Sequence, residues 1–134
     1  MMFAASTTLL LAFAAQSAFA VTLYRNGGAN KPYNKVRTPQ DYDSPVNGIV
    51  PANPNKGMST NSNRGSLPNQ NKNVWSIDSD NLSTGRLKPV NDHDTHWAIT
   101  LTQDTQIDEL LDAINNADGW SKVNQFISLN NVGY

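Results

Sequence analysis

The chain has 134 residues, with 10 Lys and Arg against 11 Asp and Glu, and no cysteine. That length suits one domain, and a formal net charge of −1 leaves no basic stripe to neutralise phosphates, which argues against a nucleic-acid-binding face. The lack of thiols excludes a disulfide-stapled toxin, a thiolate zinc site and a cysteine nucleophile.

In chain order, the first 20 residues carry no charged side chain. Their apolar stretch, Leu9 to Ala15, falls short of the about 20 residues needed to span a bilayer. It leads into Ala18-Phe19-Ala20, the small-x-small pattern of a signal-peptidase site. Residues 1–20 therefore read as a secretory signal peptide and residues 21–134 as the secreted, mature domain. The competing reading is a buried N-terminal helix. It would need cover on every side, because only Gln16 and Ser17 interrupt the run from Ala12 to Ala20. No second apolar run holds the mature chain in a membrane.

Val21-Thr22-Leu23-Tyr24-Arg25 has the β-branched and aromatic content of a strand, closed by Asn26-Gly27-Gly28. Residues 26–73 hold six of the seven prolines and many asparagines, and read as turns and loop. Thr38-Pro39-Gln40-Asp41-Tyr42 is the one helix start in that segment, with Thr38 as cap and Pro39 at the first position. Gly57-Met58-Ser59-Thr60 falls inside it, where Ser59 can end a strand. Loops this long in a small domain are functional or partly unfolded.

Val74-Trp75-Ser76-Ile77 is a second strand. Asn81-Leu82-Ser83 is an N-glycosylation sequon in an exposed turn. Arg86 to Val90 reads as an edge strand, because Pro89 cannot donate to a ladder. His96 to Thr102 alternates most clearly, with Trp97, Ile99 and Leu101 toward the core and His96, Ala98, Thr100 and Thr102 opposite. Ile107, Leu110, Leu111 and Ile114 then make one apolar helical stripe. Asp104, Asp108 and Glu109 load the N-terminal end of that helix, and Gly119 suits a stop beyond it. Trp120, Val123, Phe126 and Ile127 suggest a second short helix. The composite is a small, sheet-rich α+β domain.

Both histidines lie in Val90-Asn91-Asp92-His93-Asp94-Thr95-His96-Trp97. A metal shared by His93 and His96, with Asp92 or Asp94, conflicts with strand alternation, which sends residues three apart to opposite faces. No Gly-x-Ser-x-Gly elbow marks a serine hydrolase. The sole glutamate, Glu109, sits in the expected helix, so no glycosidase carboxylate pair stands out. Gly27-Gly28 and Gly57-Met58-Ser59 are too short for phosphate-binding fingerprints. Arg25, Ser59 and His96 remain, and each alone also suits an ordinary surface role.

Their order is more informative. Leu23-Tyr24-Arg25, Gly57-Met58-Ser59, Val74-Trp75 and Lys88 to Trp97, followed by an amphipathic helix, resemble the type VI secretion exported-effector-two toxins and their fungal relatives. The resemblance covers about residues 22 to 115. It implies a small ADP-ribosyltransferase-like α+β fold over residues 21–134. Two short antiparallel sheets would form a cleft for NAD, and the terminal helices would be amphipathic. NAD would be the substrate, with no metal. Arg25 would hold its phosphates or ribose, Ser59 would orient nearby groups, and His96 would bind a ribose hydroxyl or assist proton transfer. Tyr24 would be an NAD-binding neighbour able to stack on nicotinamide, whereas alternation assigns Trp97 to the core. The chain departs from the better-known transferase pattern in having no glutamate near the third block. Asp94 is the expected substitute if the strand extends back to it, and Glu109 is expected to be structural.

The resemblance thus implies a secreted toxin or effector. It would transfer ADP-ribose to a macromolecule in a host or competitor cell, or split the nicotinamide–ribose bond, and an immunity protein would restrain it. Two other readings remain. One is a non-enzymatic interaction protein on the same scaffold, and the other is a metal-dependent hydrolase built on the His/Asp cluster.

Overall fold

The computed structural model describes residues 20–123. Residues 1–19 of the expected signal peptide, and Phe126 and Ile127 of the expected last helix, lie outside them. The fold is α+β and antiparallel. The strands are β1 (Thr22–Asn26), β2 (Ile49–Val50), β3 (Asn53–Asn61), β4 (Val74–Asp78), β5 (Leu87–His93), β6 (His96–Leu101), β7 (Thr105–Gln106) and β8 (Ser121–Lys122), with helix α1 at Ile107–Asn115. Six strands form one sheet in the order β5-β6-β3-β1-β4-β8, and β2 and β7 form a separate two-stranded ribbon. Among the described residues no helix is long and apolar enough to cross a membrane.

The principal departure from the sequence reading is β3. This nine-residue strand runs through the middle of the expected loop and lies between β6 and β1 in the sheet. Its residues, Asn-Pro-Asn-Lys-Gly-Met-Ser-Thr-Asn, have little strand propensity, so tertiary pairing dictates the conformation. A register shift between Asn53 and Gly57 against β6 leaves Pro54, Asn55 and Lys56 outside regular pairing, where a residue without an N–H is tolerated. At Gly57 a Cβ would fall 2.2 Å from the Ile99 carbonyl oxygen, so the two backbones approach closely only because there is no side chain. Beyond it Met58 and Thr60 face inward and are buried.

The rest of the expected loop is packed rather than unfolded. Tyr33 and Tyr42 are among the largest fully buried side chains, and with Val36 they join a core containing Leu23, Met58, Ile77, Ile99, Leu101, Leu110 and Ile114. Each phenol finds a partner, as a buried hydroxyl must. Tyr33 donates to Asp41 Oδ2 at 2.8 Å and Tyr42 to the Ile99 carbonyl at 2.7 Å. Asn115, at the end of α1, clasps the backbone of Tyr33. Its Oδ1 accepts from the Tyr33 amide at 2.9 Å and its Nδ2 donates to the Tyr33 carbonyl at 2.7 Å. The expected helix start at Thr38 is only one turn, closed by the amides of Asp41 and Tyr42 on the Arg37 carbonyl.

Several elements follow the sequence pattern. In α1, Leu110 and Ile114 are fully buried, Ile107 and Leu111 flank them, and Asp108 and Glu109 occupy the first turn. In β6, Ile99 and Leu101 are buried and Trp97 packs against the core. Ala98 and Thr100 on the opposite face are buried too, leaving His96 half-exposed at the strand start. The Pro89 segment is the edge strand β5, longer than expected. Asn81 of the sequon is exposed. The expected second helix does not begin at Trp120, because Ser121 and Lys122 pair with Ser76 and Trp75 of β4.

Candidate functional site

Three strands each place one candidate residue around one cavity: Arg25 on β1, Ser59 on β3 and His96 on β6. β1 and β3 share a single backbone pair, Tyr24 with Asn61. Past that pair they separate, and the Ser59 carbonyl is left without a β1 amide. Arg25 fills the gap, donating from Nε to the Ser59 carbonyl at 3.4 Å and from Nη1 to the Pro32 carbonyl. Its guanidinium carbon lies 4.9 Å from the centre of the Tyr33 ring, a cation–π geometry. Tyr33 is fixed in turn by Asp41. Burial lowers the Arg25 pKa from its usual value, the fields of Tyr33 and Asp41 oppose that shift, and Arg37 reinforces it. A guanidinium so placed still carries its charge at neutral pH.

His96 pairs with Asn61 of β3 on one side and with His93 of β5 on the other. Strand alternation puts the Ser59 side chain on the same face as His96, and Ser59 Oγ lies 3.0 Å from His96 Nε2. His96 Nδ1 lies 2.6 Å from Asp92 Oδ1. Ser59, His96 and Asp92 therefore form one continuous hydrogen-bonded row.

Two sequence expectations about this cluster are overturned. His93 and His96 do not point to opposite faces. Only Asp94 and Thr95 separate β5 from β6, so the two histidines face each other across a tight hairpin and their rings stack at 4.7 Å with 17° between planes. Asp94 is also not the local carboxylate of the site. It is an exposed turn residue with φ 45°, a left-handed conformation that aspartate tolerates. The Asn91 side chain pins this turn, its Nδ2 donating to the carbonyls of Asp94 at 3.0 Å and His96 at 2.9 Å. Asp92 supplies the carboxylate instead. A register shift between Asn91 and His93 inserts one extra residue and re-aims it, as bulges do. Burial alone would raise the Asp92 carboxyl. The hydrogen bond from His96, with the charges of His96 and His93, outweighs that and holds it below the usual aspartate value.

Donor atoms of Asp92, His93 and His96 lie within 4.8 Å of one another, so spacing does not exclude a metal as alternation suggested. The stacking bears on the question differently. Imidazole lone pairs lie in the ring planes, and two nearly parallel rings aim them side by side rather than at one tetrahedral centre. Both ring nitrogens of His96 also already face partners, Ser59 and Asp92.

The site opens into a cavity of about 360 Å³, lined by Arg25, Asn26, Arg37, Ser59, Asn61 and His96 and bordered by residues 66–68. It lies within the six-stranded sheet, where β1 and β3 part, and not between two sheets as expected. A neighbouring cavity of about 310 Å³ lies against Gly27, Gly28 and Lys35, and shares Arg25, Asn26 and Arg37 with the first. The structure thus brings Arg25, Ser59 and His96 to one cleft. Tyr24 contributes a backbone pair but is not among the cavity-lining residues. Glu109 pairs with Arg86 at 3.1 Å, and neither residue lines the cavity. Sequence reasoning weighed Asp92 only as a metal ligand, not as the partner of His96, and missed Arg37, Asn26 and Asn61. The tight spacing between His93 and His96 was the available signal for Asp92, but Asp-Thr lacks the glycine that marks such turns.

No family model, no curated protein and no solved structure matches the chain.

Proposed function

We propose that the chain is a secreted toxin or effector. Its cleft binds NAD and either transfers ADP-ribose to a macromolecular target or splits the nicotinamide–ribose bond. One observation carries this reading. Arg25, Ser59 and His96, far apart in sequence, border one cavity, and Arg25 and Arg37 sit where that cavity meets a second one. A dinucleotide has two lobes joined by a pyrophosphate. Two adjacent cavities with a pair of guanidiniums between them match that division of charge and shape, since the planar fork of arginine suits phosphate oxygens. Ser59 and His96 would hold the ribose whose bond to nicotinamide breaks, and Asp92, on the far side of the His96 ring from Ser59, would steady the imidazole as oxocarbenium-like charge develops. The resemblance to the exported-effector-two toxins points the same way.

The test is nicotinamide release by the purified protein and by Arg25→Ala and His96→Ala. Release is expected from the wild type, with at least about a hundredfold loss in each variant, in line with removal of a charge-stabilising or proton-transferring group. A folded wild type that releases none, alone or with a host lysate, overturns the enzymatic reading. A second reading, an interaction protein that uses the cleft without turnover, is favoured by the absence of glutamate from the cavity lining among the described residues. It requires a partner protein to be captured while nicotinamide release stays at background.

A further inference from the structure

The row Ser59–His96–Asp92 stands at the edge of the cavity that Ser59 and His96 line. Ser59 is exposed and its Oγ is 3.0 Å from His96 Nε2. The opposite ring nitrogen, Nδ1, is 2.6 Å from Asp92 Oδ1. With the Nδ1 proton donated to Asp92, Nε2 is free to accept the Ser59 hydroxyl proton. This is the arrangement by which a histidine activates a serine and a carboxylate fixes the tautomer, and it is recognised by geometry rather than by a sequence motif. Absence of a Gly-x-Ser-x-Gly elbow is therefore no obstacle. Arg25 lies against the Ser59 carbonyl and Arg37 borders the same cavity.

We infer that Ser59 is a covalent nucleophile, activated by His96 and oriented through it by Asp92, that cleaves carboxylic esters carrying a second, negatively charged group. The Ser59 proton passes to His96 Nε2 as Oγ bonds to the ester carbonyl carbon. Arg25, in the wall of the same cavity, supplies positive charge on the side where the oxyanion develops. Collapse breaks the bond to the alkoxy oxygen, which leaves as the alcohol with the proton from His96. Water then attacks the acyl-serine and gives a proton to His96. The acid leaves and the proton returns to Ser59 Oγ. The sum is ester plus water giving acid plus alcohol. The anionic group of the substrate meets Arg37. Ser59 and His96 are catalytic residues here, and Asp92 is a positioning residue.

This inference stands apart from the NAD reading, because ester cleavage needs no dinucleotide. The test is labelling of the full chain by a fluorophosphonate probe, with the modified peptide located by mass spectrometry, alongside turnover of mono-4-nitrophenyl succinate and 4-nitrophenyl acetate. The label should fall on Ser59. It should vanish in Ser59→Ala and slow at least about a hundredfold in His96→Ala. Asp92→Asn should lower kcat at least about tenfold with KM unchanged, and Asp92→Glu should restore part of it. The succinate ester should be preferred severalfold over the acetate, a preference lost in Arg37→Gln. If Ser59 stays unlabelled in protein with an unchanged circular dichroism spectrum, or labels equally fast in His96→Ala, the inference is wrong. Labelled Ser59 without nicotinamide release would sink the NAD reading alone, and the converse result would sink this one alone.

Discussion

Asp92 shows how a single inserted residue can decide a site. Without the bulge between Asn91 and His93, its side chain would follow the plain alternation of β5. With the bulge, its carboxylate meets both stacked histidines, at 2.6 Å from His96 and 3.1 Å from His93. Its carboxyl is held below the usual aspartate value against the effect of burial. A depressed folded pKa stabilises the fold above the unfolded value, about 3.9. That stabilisation is lost as pH falls through the lower folded value. Urea unfolding at pH 6 should therefore show Asp92→Asn less stable than wild type. The deficit should be under about 1 kcal/mol, because the group is partly solvated. It should shrink as pH falls below about 3.9, and a difference that instead grew in acid would contradict the pairing. At this scale the sequence was only half legible. Arg25, Ser59 and His96 stood out as polar residues at strand ends, whereas the partner of His96 depended on a bulge that no residue type announces.

Among the elements, legibility tracked the strength of the periodic signal. β1, β4, β6 and α1 carry alternating or helical apolar patterns and lie where those patterns place them. β3 carries neither, yet it lies between β1 and β6 and presents Ser59 to His96. Its Pro54 and its asparagines are the residues of a turn, and the strand exists because β6 offers it a ladder. Gly57 is the point where that ladder is most exacting. A methyl group there would lie 2.2 Å from the Ile99 carbonyl oxygen and 2.8 Å from the Ile99 amide nitrogen, both main-chain atoms that cannot swing aside. Gly57→Ala should destabilise the fold by roughly 1–3 kcal/mol, the range for overpacking. The change should be visible as a lowered thermal midpoint and should displace Ser59 two residues away. An unchanged midpoint would mean that β3 and β6 are not in such close contact. The tight hairpin between β5 and β6 was the other element hidden from sequence, and it is what brings His93 back over His96.

For the molecule as a whole, the segment between β1 and β3 fills part of the core and supplies Arg37 to the wall of the candidate site. Tyr33 and Tyr42 fill the core, Asn115 ties the segment to α1, and Tyr33 supports the guanidinium of Arg25 from below. Composition made this stretch look unstructured, because its prolines and asparagines outnumber its aromatic anchors. The anchors act over long sequence separations that local patterns do not report. The same holds for the cleft, whose Arg25–Ser59 and Ser59–His96 contacts join residues 34 and 37 positions apart. Fold class was readable from periodicity. The convergence of Arg25, Ser59 and His96 was anticipated only through family resemblance, and it rests on β1 and β3 parting after one shared pair.

The central claim is that this parted pair of strands is a dinucleotide cleft centred on Arg25 and Arg37. The most direct measurement is calorimetric titration of NAD into the purified protein, the Arg25→Ala variant and the Arg37→Ala variant, with folding checked by circular dichroism. Saturable binding is expected for the wild type. Affinity should fall about tenfold or more in each variant, as expected for loss of a charge-assisted phosphate contact of about 1.5–3 kcal/mol. A folded wild type that takes up no NAD, or an Arg25→Ala protein that binds it as tightly as wild type, would contradict the account.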